Sequence, residues 1–100
     1  MKIEVKIYAD RMEISGNARH VVSRPAEAYT STRLLVGTFH PAVNCLRSGL
    51  EQIGAFGLLK RKPELNIRSM EKNLEGLSEI EERTLLEVGY SAGGGRVYVN

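Results

Sequence analysis

The last quarter of the chain constrains its fold most. Gly76-Leu77-Ser78-Glu79-Ile80-Glu81-Glu82-Arg83 spells a helix start. Ser78 caps the first free amides and Glu81, three residues on, reaches back to the Ser78 amide, a capping box. Glu79, Glu81 and Glu82 crowd the positive end of the helix dipole. The helix runs to Gly93-Gly94-Gly95, and Arg96-Val97-Tyr98-Val99 then reads as a strand. Upstream, Leu65 to Met70 reads as another strand. Strand, helix, strand makes one βαβ unit, whose strands are expected to be parallel with a right-handed crossover.

The first third has a different period. Ile3, Val5 and Ile7 alternate with Lys2, Glu4 and Lys6, the pattern of a half-buried strand. Ala9-Asp10 turns the chain, Met12 and Ile14 continue the alternation, and Gly16-Asn17 turns it again. His20 to Ser23 is a short third strand, stopped by Pro25, which cannot donate to a ladder. An antiparallel meander is expected. Residues 26–33 read as a polar connection, and Leu34-Leu35-Val36 as a buried anchor or short strand. A helix opens between Thr38 and Pro41, with Val43, Leu46, Leu50 and Ile53 on one face and Gly54 and Gly57 at its end. In the last helix Ile80, Leu85, Leu86 and Val88 form the apolar face. The order is βββαβαβ: an α+β chain with a five-strand mixed sheet and two helices, folding as one domain over residues 1–100.

Composition narrows the class of function. One hundred residues, 42% apolar, suit a single ordered core. Fourteen basic and twelve acidic residues are interspersed, and a net charge of +2 with six aromatics argues against a dedicated nucleic-acid partner. No apolar run approaches the roughly 20 residues of a membrane span. A single Cys45 allows no internal disulfide, which fits a reducing cytoplasm.

The element order is that of the ribonuclease-H-like half of actin-like ATPases. Val21 to Ala28, Pro63 to Ile67, and Ile80 to Leu85 followed by Ala92-Gly93 and Arg96-Val97-Tyr98 resemble segments of the bacterial actin homologue MreB. Nearly the whole chain resembles a family of small bacterial proteins, the YjaA family, through Arg33-Leu34-Leu35 and the block from Met70 to Arg83. That resemblance implies a role in bacterial stress response, with no agreed activity. The departures from the actin pattern are informative. Actin-like ATPases carry an Asp-x-Gly-Thr phosphate loop in the first hairpin. Here the turn is Tyr8-Ala9-Asp10-Arg11, without the glycine that lets backbone approach a phosphate. A working counterpart of that family's acidic segment beyond the fifth strand, or of its second lobe, is not expected. No ATP site, cofactor or catalytic centre is expected.

Position in the chain separates the candidate sites. Gly93-Gly94-Gly95 follows a helix and precedes a strand, the reverse of a phosphate loop, so a helix C-cap is expected. Cys45 with His20 or His40 suggests thiol chemistry, but a cysteine beside an apolar helix face reads as packing. Glu79, Glu81 and Glu82 suit the helix dipole better than a metal. Lys60-Arg61-Lys62 reads as a solvated basic loop. The segment from Met70 to Ser78 leaves the carboxyl end of a parallel strand, where open α/β sheets place their sites. Glu71, Asn73, Glu75 and Ser78 are therefore the expected partner-binding residues. Their negative charge favours a protein with basic side chains over a phosphate.

Overall fold

A computed structural model describes residues 2–16, 18–29, 39–56, 61–70 and 79–100, with 79–81 described by backbone alone. Seven elements follow in order: β1 (Lys2–Ile7), β2 (Met12–Gly16), β3 (Arg19–Ser23), α1 (Phe39–Gln52), β4 (Glu64–Ser69), α2 (Glu79–Ser91) and β5 (Arg96–Val99). This is the expected α+β order, and the strands form one five-stranded mixed sheet, β3-β2-β1-β4-β5. β1 and β2 are antiparallel, as are β2 and β3. β4 lies parallel to β1 on its other side, and β5 parallel to β4. β1 is thus the hinge between the meander and the βαβ unit.

The strand period puts every second side chain on one face. Val99, Ile67, Val5, Ile14 and Val21 line up in register across all five strands. Beside them run Val97, Leu65 and Ile3 on one flank and Ile7, Met12 and Ser23 on the other. Ile3, Val5, Ile7, Met12, Ile14, Leu65 and Ile67 are fully buried. Both helices cover this face: α1 packs over β2 and β3, α2 over β4 and β5, and the two touch. The approach is close, since a Cβ at Gly49 would lie 2.0 Å from Ile14 Cδ1 and one at Gly89 2.6 Å from Val97 Cγ1.

On α1 the buried stripe is Ala42, Cys45, Leu46, Gly49 and Leu50. It is rotated slightly from the expected face, leaving Val43 half-buried at its margin. The close contact at Gly49 causes the offset, because a small residue faces the sheet where the apolar periodicity alone points elsewhere. On α2, Leu85 and Val88 are buried and Leu86 half-buried, as expected; Ile80 lies outside the described side chains.

Pro41 is the third helical residue, not the first, and is still within the turn whose amides have no helical acceptor. Both helices end the same way. Gly54 N donates to Glu51 O and Ala55 N to Leu50 O; Gly93 N donates to Tyr90 O and Gly94 N to Gly89 O. These are Schellman closures, with the glycines at φ 78° and 114°. The glycine triplet is a cap, as its position indicates. The Leu34-Leu35-Val36 segment lies outside the described residues.

Candidate functional site

The carboxyl ends of β1, β4 and β5 meet at one edge of the sheet. Met70 N donates to Ile7 O, so the chain leaving β4 starts beside the first hairpin turn. The expected partner-binding residues Glu71, Asn73, Glu75 and Ser78 follow directly but lie outside the described residues, as does Lys60 of the basic loop. Arg61 and Lys62 are exposed.

The hairpin turn itself is closed inward. Tyr8 N donates to Arg11 O at 2.9 Å. Tyr29 enters from the connection after β3, and its hydroxyl proton is shared between the carbonyl oxygens of Tyr8 and Arg11, the latter 2.7 Å away. Tyr29 is completely buried. Burial is the main cause that pushes its hydroxyl up from the ordinary phenol value, reinforced by the neighbouring Cys45 thiol. It therefore stays a neutral donor. Residues 26–33 were expected to be a polar connection, and Tyr29 is the correction. It sits among small polar residues with no apolar periodicity around it, so only its size, four residues past Pro25, marks it as an anchor.

Outside the turn, the Arg11 guanidinium lies 3.9 Å from the centre of the Tyr8 ring. Its Nη1 donates to Asp10 at 2.8 Å and its Nε to Glu13 at 3.0 Å. The Glu13 hydrogen bond is the chief cause that raises its pKa. Arg24 adds a looser contact to Asp10 at 3.7 Å.

The structure does not bring the thiol and imidazoles together. Cys45 is buried under α1, where its thiol faces Ser23 and the Ser23 hydroxyl donates to Cys45 O at 2.7 Å. Burial pushes the thiol up, against the opposing Ser23 hydrogen bond, so the reactive thiolate is disfavoured. His20 lies on the opposite face of the sheet, 2.8 Å from Ser15 Oγ. His40 is exposed on α1 and packs edge-on with Phe39. Among the described residues no three His, Cys, Asp or Glu side chains converge as a metal set. No described helix is long and apolar enough to cross a membrane. The chain matches no protein-family model and no curated protein.

Proposed function

We propose that this chain acts by binding a protein partner, without catalysis, as a regulatory component of a bacterial stress response in the cytoplasm. The observation carrying this reading is the closed first turn. An actin-like phosphate loop needs free amides and a close backbone approach. Here the turn carbonyls of Tyr8 and Arg11 are both drawn to Tyr29. The nearby cation is already held by Asp10 and Glu13, and those carboxylates would repel a phosphate. What is left at this edge is a stable platform beside Met70, where the expected recognition segment begins.

A second reading is a degenerate actin-like module that contacts a cytoskeletal or assembly partner. The strand order β3-β2-β1-β4-β5 with two helices favours it, as that arrangement is the one its resemblance implies. Isothermal titration with Mg-ATP tests the first reading: no heat of binding is expected, and micromolar binding overturns it. Sedimentation with MreB-type filaments separates the two. Protein left in the supernatant as a monomer supports the first, and protein pelleting with the filaments supports the second.

A further inference from the structure

Alternate residues of the same five strands face away from both helices. Among the described residues nothing packs on this second face, and its side chains are polar apart from the exposed Val22 of β3, in register with Glu13. Parallel strands are usually covered on both sides, so a face of β1, β4 and β5 on which no described residue packs is a surface to examine for contact with something else.

Its rows are set by register. Lys2, Glu64 and Arg96 form one, with the carboxylate between two cations. The next holds Tyr98, Asn66, Glu4, Ser15 and His20. The third places Arg68 directly opposite Lys6, with Glu13 on the far side of Lys6. Like charges directly opposite are unfavourable. Glu13 is the cross-strand carboxylate that should relieve Lys6, but Arg11 takes it at 3.0 Å. Among the described residues neither Lys6 nor Arg68 has an ion pair. The two cations line a shallow pocket with Glu4, Asn66 and Asn100. Asn100 is fixed there by its backbone, whose amide donates to Ile67 O at 2.9 Å.

We propose that the open face of the sheet binds an acidic protein segment, one carboxylate of which is held between Lys6 and Arg68. The inference rests on the reading that the chain works by binding a protein, and it names the chemistry of the partner segment that this face would hold. Arg68 offers a planar fork that suits a carboxylate, and Lys6 a point charge beside it. The amides of Asn66 and Asn100 supply further donors. Glu4 in the same pocket selects for a single negative charge, since it repels a phosphate dianion more than a carboxylate. Tyr98, 46% exposed and next to Asn66, offers a ring to the stem of the bound side chain. This site lies on the sheet face, whereas Met70, the last described residue before the expected recognition segment, is tied to Ile7 O at the carboxyl ends of the strands.

The test is titration of isotope-labelled protein with a hexaglutamate peptide, followed by amide NMR. Shifts are expected to centre on Lys6, Asn66, Arg68 and Asn100. The double variant Lys6→Gln, Arg68→Gln is expected to weaken binding by about tenfold or more. The control Arg61→Gln, Lys62→Gln keeps the same basic-residue count removed and is expected to bind as the parent does. Shifts elsewhere, or equal weakening in both variants, overturn the proposal. So does tighter binding of inorganic phosphate or of a hexauridine strand at the same residues. Pull-down distinguishes this failure from that of the broader reading. Partners recovered equally by parent and Lys6→Gln, Arg68→Gln variant remove the site and leave protein binding intact, whereas a parent that binds no protein removes both.

Discussion

The two faces of one sheet divide the labour of this chain, and the division runs residue by residue. Ile3, Val5 and Ile7 on β1 are completely buried, while Lys2, Glu4 and Lys6 between them face away from the helices. The covered face is apolar in every row, with the Ser23 hydroxyl satisfied by Cys45 O. The open face contains an opposed pair of cations that a stability-optimised sheet avoids. A local rule broken with no compensating ion pair among the described residues marks a place to look for recognition. If the proposed site on the open face holds, stability and recognition sit on the same strands but on alternate residues, and substitutions should separate them cleanly.

The largest effect tests the covered face. Leu46→Ala removes a fully buried side chain of α1 and is expected to cost about 2–5 kcal/mol in urea unfolding. A loss below about 1 kcal/mol would mean that α1 does not seal this face.

Next comes the turn at the edge between the faces. Tyr29→Phe keeps the ring but strips the donor from two carbonyls, at an expected cost of about 1–3 kcal/mol. A variant as stable as the parent would show that ring packing alone holds the turn. The parent should also lose stability in alkali. Burial raises the folded pKa of Cys45 above its ordinary 9.0 and of Tyr29 above 10.0. Above those values the unfolded chain releases protons that the folded chain retains, so unfolding is favoured as pH rises. The contribution is absent below pH 8 and grows through pH 9 and 10. Tyr29→Phe should flatten the upper part of that fall and Cys45→Ala the lower part, as followed by denaturant melts across the range.

The smallest effect has the opposite sign. Lys6→Gln relieves the cation facing it and is expected to raise stability by about 0.2–1 kcal/mol. If it destabilises the fold instead, Lys6 has a structural partner and the open face is not held ready for a ligand. Such a gain in stability alongside weaker peptide binding would be the clearest separation of the two faces.

Much of this architecture is legible from local pattern. The alternation at Ile3, Val5 and Ile7 marks a strand whatever its neighbours are, and Gly54 and Gly93 mark helix ends because their backbone geometry favours glycine. Features set by distant parts of the chain are less visible. The spacing puts Val43 on the buried face of α1 with Leu46, Leu50 and Ile53, but the close approach at Gly49 turns the helix and leaves it half-buried. Tyr29 has no period to announce it, because its burial comes from a turn that precedes it by some twenty residues. The Lys6–Arg68 opposition is invisible until β4 is set against β1, since each cation alone is an ordinary outward-facing strand residue. Glu71, Asn73, Glu75 and Ser78 were singled out by their place at a strand end, and they lie outside the described residues.

The central position of β1 also has a consequence in time. One of its edges is matched by β2 almost at once, but the other waits for β4, about sixty residues later. At a synthesis rate of roughly 5–20 residues per second, that edge stands open for several seconds on the ribosome. Its alternating Lys2, Glu4 and Lys6 then serve as guards, because charged side chains along an unpaired strand discourage pairing with another chain. Replacing them all with neutral β-branched residues would yield a chain whose finished sheet is sound and whose nascent form clumps.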